Sequence, residues 1–210
     1  MRQDGSMLQC PVKVRHRLLM PFSPHPCLRC PLDDLPLIVE GGSLRCAEKH
    51  TFDIARQGYV NLLGAQDKRS RDPGDDRAMV SARHQFLQDG HFQPIADSIG
   101  QLLLPAIANN SVIVDAGCGE GYYLQQLRTA ILNAGQVNPS FVGFDISKWA
   151  MQVAGRRFPA TWMVASNRKI PLADESADVV LDMFGFPDFD EFARVLRPGG
   201  LMVQVLAGDN

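Results

Sequence analysis

The chain has 210 residues, of which 45% are hydrophobic and 21% are charged, and its formal net charge is −2. This composition is typical of a soluble globular protein rather than a disordered one, and the length allows one well-buried domain with a small appendage. No apolar run is long enough for a transmembrane helix, and the first twenty residues lack the continuous apolar stretch of a secretory signal. We therefore expect a cytoplasmic protein without membrane contacts, in which thiols stay reduced.

The charge is distributed unevenly along the chain. Residues 1–71 contain eleven Lys and Arg against seven Asp and Glu, a balance of +4, and residues 72–210 contain ten against sixteen, a balance of −6. The front of the chain is therefore better suited to an anionic partner such as a nucleic acid. The alternative is that these charges only keep the surface solvated.

Residues 27–50 space three cysteines and a histidine as C-x2-C, fifteen residues, then C-x3-H. A redox C-x-x-C pair normally opens a helix, but Cys30 is followed by Pro31 and a turn-rich segment. Three thiolates and one imidazole suit tetrahedral Zn²⁺ and leave no position for a catalytic water. We predict a structural zinc site that stabilises a small module, with the ligands Cys27, Cys30, Cys46 and His50. The alternative is that these cysteines are scattered buried residues that bind no metal. We interpret Cys10 and Cys118, which lie outside the cluster, in this way.

A glycine-rich loop follows an apolar run in SVIVDAGCGEGYYLQQL, residues 111–127. The β-branched residues predict a buried parallel strand, and the pattern after the glycines predicts the start of a helix. A dinucleotide-binding loop reads G-x-G-x-x-G, whereas this one reads D-x-G-x-G-x-G and contains an acid that would repel phosphates. The loop favours a ligand with an amino-bearing end, such as the methionyl part of S-adenosylmethionine, and its candidate contacts are Asp115, Gly117, Gly119, Glu120 and Gly121.

The strands that follow the loop end in polar residues. FVGFDIS ends in Asp145, which could accept both ribose hydroxyls, and TWMVAS leads to Ser166 and Asn167, which could reach an adenine edge. Two further strands, ADVVLDMF and GGLMVQVLA, flank the helical stretch DFDEFARVLRPGG. Strands alternating with helices predict a doubly wound α/β sheet, with the ligand over the carboxyl ends of the strands.

These residues resemble class I S-adenosylmethionine-dependent methyltransferases with a Rossmann-like sheet. From residue 27 onward the chain looks like the bacterial large-subunit (23S) rRNA guanine-N1-methyltransferases, the RrmA-like family that includes the tylosin-resistance relatives. The resemblance is carried by the zinc spacing, TFDIARQGYVNLL, KRSRDPGDDRAMVSARHQFLQDGHFQPI and DAGCGEGYY, in that order. It implies an extension at 1–26, expected to be disordered, a zinc module at 27–63, a linker and helix at 64–90 and a methyltransferase domain at 91–210.

The resemblance also implies roles for particular residues. Cys27, Cys30, Cys46 and His50 match the zinc ligands of the family, and Gly119 with Glu120 matches its cofactor loop. Phe92, in GHFQP, stands where the family tends to have a tyrosine near the cofactor, so the ring is kept and the hydroxyl is lost. The YAP stretch of the family appears here as residues 184–187, Phe-Gly-Phe-Pro.

The implied reaction is methyl transfer to N1 of a guanine in an rRNA hairpin. N1 must lose its proton before it can attack, and Asp182 and Asp188 are the acids nearest to the end of the fourth strand. Arg29, Arg45 and Lys49 of the zinc module are expected to grip the RNA backbone, and the basic residues 68–71 to close over it. Two alternatives remain open: a small-molecule methyltransferase, and a zinc-containing remnant that binds RNA or cofactor without turnover.

Both ends of the chain give rise to expectations. The related family normally begins close to Met20, so residues 1–19 are expected to be an extension or a misassigned start. Class I methyltransferases usually continue beyond the fifth strand, which here spans Leu201–Leu206, so we expect a truncated domain with an unpaired strand edge. Such an edge favours a homodimer. The missing part would have covered the sheet and helped to wall the guanine pocket, so we also expect weak cofactor binding and little or no methyl transfer.

Overall fold

The computed structural model describes residues 22–64, 73–135 and 138–208. Its first part is a small antiparallel ribbon of short strands. These are β1 (Ile38–Glu40), β2 (Ser43–Arg45), β3 (Thr51–Ala55) and β4 (Tyr59–Asn61). Gly41, with φ 65°, lies in the turn between β1 and β2, a backbone conformation that glycine adopts without steric cost.

The second part alternates strands and helices. Two helices come first, α1 (Arg77–Gln88) and α2 (Gln93–Leu103), and a short 3₁₀ turn (Leu104–Ala106) follows them. Then come β5 (Val112–Ala116), α3 (Tyr122–Asn133), β6 (Ser140–Asp145), α4 (Lys148–Ala154), β7 (Thr161–Val164), β8 (Ala177–Met183), α5 (Phe189–Val195) and β9 (Leu196–Val205).

The described strands form one sheet in the order β1-β2-β3-β4-β7-β6-β5-β8-β9. Strands β5 to β9 are parallel, and the order reverses between β5 and β8, as the sequence predicted for a doubly wound sheet. Strand β4 of the ribbon pairs in parallel with β7, with Val60 opposite Met163. The ribbon is therefore continuous with the main sheet rather than a separate module.

The sheet is covered on both faces. All five residues of β5 and all seven of β8 are buried, as expected for parallel strands between two helical layers. One face packs Val114, Phe144 and Met163 against the ribbon residues Leu28 and Leu44. The other face packs α2 and α3 around the fully buried Trp162. The ribbon therefore supplies part of the core.

Residues 22–26 differ from the expected extension over 1–26. Phe22 is buried and pairs with Ala160, and the Ser23 amide donates to the Ala160 carbonyl at 3.0 Å. The Thr161 hydroxyl donates to the Ser23 carbonyl at 2.6 Å. This segment thus adds backbone contacts to the start of β7. The rest of the expected extension, with Met20, lies outside the described residues.

Among the described helices, none combines the length and hydrophobicity of a membrane span.

Candidate cofactor cavity and metal group

A cavity of about 950 Å³ opens at the carboxyl ends of β5, β6 and β7. Its wall is completed by α1 and by the loop that follows β8. Clefts at this edge, next to the point where the strand order reverses, are where open α/β sheets bind ligands. Seven of the nine predicted cofactor contacts line the cavity: Phe92, Gly117, Gly119, Glu120, Asp145, Ser166 and Asn167.

The glycine loop between β5 and α3 has three residues with positive φ. They are Gly117 (73°), Gly119 (54°) and Gly121 (78°), a region in which other residues are strained. A β-carbon built on Gly117 would meet nothing within 4 Å, so this glycine faces open space. A β-carbon built on Gly121 would lie 2.6 Å from the Trp162 ring. Gly121 is therefore required by packing and does not line the cavity, and its contact with the cofactor stays a prediction.

Asp115 is the penultimate residue of β5, beneath the loop, and does not line the cavity, contrary to expectation. Its side chain is fully buried, and neither carboxylate oxygen has a hydrogen-bond partner among the described residues. Burial, together with the nearby carboxylates of Asp145 and Asp182, raises the pKa of Asp115 to about 8. This environment therefore favours the protonated form of Asp115.

The Glu120 carboxylate is held by two side chains of the protein. Its Oε2 lies 2.6 Å from His84 Nδ1, and its Oε1 accepts from Arg157. Arg157 also donates through Nε to the Glu120 carbonyl at 2.5 Å. The sequence suggested that this acid faces the amino end of a ligand. In the structure each oxygen has one protein partner, so Glu120 fixes the loop, and a contact with the amino end of a ligand stays a prediction.

Asp145 stands at the end of β6 beside the loop. Its Oδ2 accepts from the Gly119 amide at 3.0 Å, and its Oδ1 accepts from the Ser147 amide at 2.7 Å. Burial raises the pKa of Asp145, and these two amides oppose that rise. The carboxylate is therefore oriented at the cavity wall, in the position expected for a ribose contact.

The loop after β7 forms the next part of the wall. Asn167 Nδ2 donates to the Phe186 carbonyl at 2.7 Å, which joins this loop to the one after β8. Ser166 Oγ accepts from the Arg168 amide at 3.3 Å. Ser166 and Asn167 thus lie one strand beyond Asp145, where the sequence predicted contacts to an adenine edge.

Aromatic rings form the outer part of the cavity. The ring of Phe92 stacks on Phe184 with centroids 5.5 Å apart and meets Phe86 edge-on at 5.2 Å. Phe184 has a φ of 59°, which is rare for a bulky side chain. Sequence reasoning identified Phe92 but missed Phe86 and Arg83, which lie three positions apart on one face of α1.

Neither acid considered as a proton acceptor lines the cavity. Asp188 caps α5, where its side chain accepts from the Glu191 amide. Asp182 is fully buried and accepts from Gln204 Nε2 at 2.8 Å. Both carboxylates therefore have structural partners.

A second group of candidate ligands lies in the ribbon. The donor atoms of Cys30, Asp33, Cys46 and His50 all lie within 4.8 Å of one another. His50 Nδ1 is 3.4 Å from Cys46 Sγ, 3.6 Å from Cys30 Sγ and 2.9 Å from Asp33 Oδ2. Two thiols, an imidazole and a carboxylate are all ligands that Zn²⁺ accepts, so the group fits a tetrahedral zinc site.

Cys27 lies outside this group, and its role as the fourth ligand stays a prediction. Its Sγ is 2.8 Å from His25 Nδ1, and Asp33 occupies the fourth place. Asp33 is held there because its Oδ1 accepts from the Leu35 amide, two residues along the turn. Of the other cysteines, Cys118 is buried at the cavity wall and Cys10 lies outside the described residues.

The ribbon is joined by direct contacts to the segment that follows β7, next to the cavity wall. Lys169 Nζ donates to the Pro31 carbonyl at 2.8 Å, and the Arg29 amide donates to the Pro171 carbonyl at 2.9 Å. Arg168, adjacent to Lys169, lines the cavity. Among the side chains expected to grip the RNA backbone, Arg45 is ion-paired with Glu40. The expected basic residues 68–71 lie outside the described residues.

Family comparisons agree with both parts of the chain. The zinc-ribbon family described as "RlmA, N-terminal" matches residues 28–71, and the family described as "Methyltransferase domain" matches residues 113–200. A solved structure from Methanococcus maripaludis, designated an S-adenosyl-L-methionine-dependent methyltransferase, superposes with a TM-score of 0.52 at 21% identity, over 65% of this chain and 67% of that one. The fold and the cavity define a class I methyltransferase domain joined to an RlmA-type zinc ribbon.

Curated relatives specify the family further. A 23S rRNA (guanine(748)-N(1))-methyltransferase from Streptomyces fradiae is 34% identical over 182 residues, and a protein from Micromonospora griseorubida with a 23S rRNA guanine-N1 designation is 34% identical over 202 residues. These matches cover 85% and 86% of this chain, and the chain spans 62% and 65% of the length of the relatives. The chain thus carries the RlmA-type zinc ribbon and the methyltransferase domain, and over most of its own length it is similar to proteins named as 23S rRNA guanine-N1-methyltransferases.

Proposed function

We propose that the protein transfers a methyl group from S-adenosylmethionine to N1 of a guanine in a 23S rRNA hairpin. The observation that carries the proposal is the hydrogen bond between Lys169 and Pro31, which joins the zinc ribbon to the loop that carries the cavity-lining residue Arg168. The relatives named for this reaction support the choice of substrate. A ribbon in this position suits a large substrate that extends beyond the cavity.

The cavity residues fit S-adenosylmethionine in the order of the strands. Asp145, at the end of β6, is oriented to accept the ribose hydroxyls, and Ser166 and Asn167, at the end of β7, are placed for the adenine. Gly117 leaves open space above β5 for the methionyl part. When bound, this cofactor supplies an electrophilic methyl group. The protein orients it and positions the guanine in line, which is the main contribution expected of an enzyme in such a transfer.

The target guanine also requires a binding surface beside the cofactor. Phe92 and Phe184 present stacked rings at the cavity, and Phe186 beside them is 91% exposed. Aromatic faces bind unstacked RNA bases by stacking. Transfer to N1 also requires loss of the N1 proton, and we assign no residue to that step because Asp182 and Asp188 do not line the cavity.

We propose that the ribbon holds one structural Zn²⁺. Three ligands, Cys30, Cys46 and His50, are common to the set predicted from the sequence and to the group found in the structure. The fourth ligand differs: the sequence predicts Cys27, and the structure brings Asp33 to the group. Such a site stabilises a ribbon whose strands are only three to five residues long.

A homodimer formed along β9, where Leu201 and Leu206 are exposed, remains a prediction that light scattering would test.

The test is methyl transfer in vitro. Purified protein is incubated with labelled S-adenosylmethionine and a 23S rRNA hairpin transcript, and the digested nucleosides are analysed by mass spectrometry. We expect N1-methylguanosine. A matched transcript with inosine at the target guanine keeps N1 and should still accept the methyl group, whereas adenosine there should not. Binding of cofactor without methylated product would instead support the binding-only alternative.

A further inference from the structure

Arg83 of α1 lies beside the glycine loop, over which the methionyl part of the cofactor is proposed to lie. Its side chain lines the cavity and is 48% exposed. A β-carbon built on Gly119 would lie 3.6 Å from Arg83 Nη1, so the guanidinium lies directly against the glycine loop. Arg83 is ion-paired with Asp75 at 2.6 Å through that same nitrogen.

The order of the strands determines which part of the cofactor would approach this guanidinium. Neighbouring strands β7, β6 and β5 present Asn167, Asp145 and the glycine loop in sequence along the cavity. With adenine at β7 and ribose at β6, the amino-acid end must lie over β5. That end carries a carboxylate, which requires a cationic or strongly hydrogen-bonding partner when it leaves water.

The charges along the cavity leave few partners for that carboxylate. Asp75, Glu120 and Asp145 are the acids of the described lining, and Arg83 and Arg168 are its cations. Arg168 follows Asn167 at the adenine end, whereas Arg83 lies beside Gly119. Arg157 lies close by, but it is held by Glu120 and Gln125 and does not line the cavity.

We propose that Arg83 binds the carboxylate of the amino-acid part of S-adenosylmethionine, an inference that rests on the proposed function. A guanidinium has five N–H donors in a planar fork, so it can hold Asp75 and a second carboxylate together. Asp75 would then position Arg83 rather than compete with the ligand. The carbonyl of Asp75 accepts from Ser147 Oγ at 2.6 Å, which ties this segment to the start of α4.

Two ligands separate this role from a general effect on the fold. S-adenosylhomocysteine has the whole amino-acid part, and 5′-methylthioadenosine has the same adenine, ribose and sulfur without it. Calorimetry with both ligands needs neither RNA nor turnover. In Arg83→Gln we expect the Kd for S-adenosylhomocysteine to rise by about ten-fold or more, and the Kd for 5′-methylthioadenosine to change by less than about two-fold.

Four variants serve as comparisons. Arg83→Lys keeps the charge without the fork and should restore part of the affinity. Asp75→Asn breaks the ion pair but keeps the cation, so S-adenosylhomocysteine should still bind. Asp145→Ala removes a ribose contact that both ligands share and should weaken both. Arg128→Gln, on a cation that packs over the Phe158 ring outside the cavity, should weaken neither.

The outcomes separate the inference from the proposed function. An equal loss for both ligands in Arg83→Gln, an unchanged affinity for S-adenosylhomocysteine, or a loss in Asp75→Asn as large as in Arg83→Gln would each overturn the role of Arg83 while leaving cofactor binding intact. If neither ligand binds the unmodified protein, the proposed function fails and the inference fails with it.

Discussion

His84 Nδ1 lies 2.6 Å from Glu120 Oε2, and this contact joins helix α1 to the glycine loop. The Glu120 side chain is 1% exposed and that of His84 is 45% exposed, so the imidazole closes over a buried carboxylate from the solvent side. The neighbouring residue Arg83 and Phe86, on the same helix, line the cavity. This contact is therefore one of those that hold α1 in place as a wall of the cavity.

Replacing His84 should loosen that wall. In His84→Ala we expect the Kd for S-adenosylhomocysteine to rise by roughly three- to ten-fold, because α1 loses an anchor to the loop. Amides of residues 77–88 should also exchange faster in hydrogen-exchange mass spectrometry. Gln85→Ala is the control, since Gln85 is exposed on the same helix and bonds only to Asp89 among the described residues. Unchanged affinity and exchange in His84→Ala would show that the contact does not position α1.

Removing the other partner of Glu120 should reduce stability. The Arg157 side chain is 9% exposed, and Arg157→Met would leave the buried carboxylate with His84 alone. We expect the free energy of unfolding to fall by about 3 kcal/mol, as is usual when one member of a buried ion pair is lost. Urea denaturation measures this. The exposed pair Arg45 with Glu40 provides the comparison, and Arg45→Ala should cost less than about 1 kcal/mol.

Asp115 predicts how stability depends on pH. Its folded pKa is raised to about 8 by burial and by Asp145 and Asp182, whereas the ordinary value is 3.8. Between these values the folded chain holds a proton that the unfolded chain has released, so the contribution of Asp115 to stability falls as pH rises and levels off above its folded pKa. Asp115→Asn removes this proton exchange. We expect urea midpoints measured between about pH 5 and about pH 8 to fall less steeply in the variant.

The exposed residue Asp97 gives the control for that experiment. Its side chain accepts from Gln93 at the surface of α2, and Asp97→Asn should leave the pH dependence of stability unchanged. If Asp115→Asn and the unmodified protein show the same slope against pH, then Asp115 is ionised in the folded state. A partner for its buried oxygens would then have to be sought, because a buried carboxylate without one is strongly disfavoured.

From the ligand group in the ribbon we expect the protein to bind zinc. Purified reduced protein should contain one zinc per chain by elemental analysis, and Cys46→Ser should lose it, since Cys46 belongs to both candidate ligand sets. The variant should also become more sensitive to proteases within residues 27–63, because the metal stabilises the short strands. Soluble reduced protein without zinc would contradict the structural site.

A pair of variants identifies the fourth ligand. If Asp33 completes the site, Asp33→Asn should weaken zinc retention against a chelator while Cys27→Ser keeps the metal. If Cys27 displaces Asp33 and leaves His25 on binding the ion, the opposite pattern should appear. His25→Ala then reports on competition for Cys27, since loss of the imidazole would free the thiol.

Much of the main sheet could be predicted from the sequence. The β-branched run at Val112–Val114 lies within β5, and FVGFD corresponds to β6, because parallel strands buried on both faces are continuously apolar. The pairing of β4 with β7 could not be predicted. Strand β4 has only three residues, and Val60 lies opposite a residue about a hundred positions away, which no local pattern encodes.

In the site, too, features encoded by a local sequence pattern could be predicted, whereas those that depend on residues brought together by folding could not. The loop glycines were evident, but the role of Gly121 depends on Trp162, which comes from β7. Asp33 resembles an ordinary turn residue in CPLDDL, and only the folded turn brings it to His50. Arg83 and Phe86 carried a usable signal, because residues three apart on a helix share a face, but nothing in the sequence showed that this face covers the cavity.

The pairing of Val60 with Met163 and of Asn61 with Val164 has a mechanical consequence. Hydrogen bonds between strands resist stretching and sliding, so the ribbon cannot swing on a tether in the way that a domain on a flexible linker does. It acts as a rigid arm whose distance from the cavity is set by strand spacing, about 4.8 Å for each neighbour. Under the proposed function, an RNA held by the ribbon would therefore lie at a set distance from the cavity.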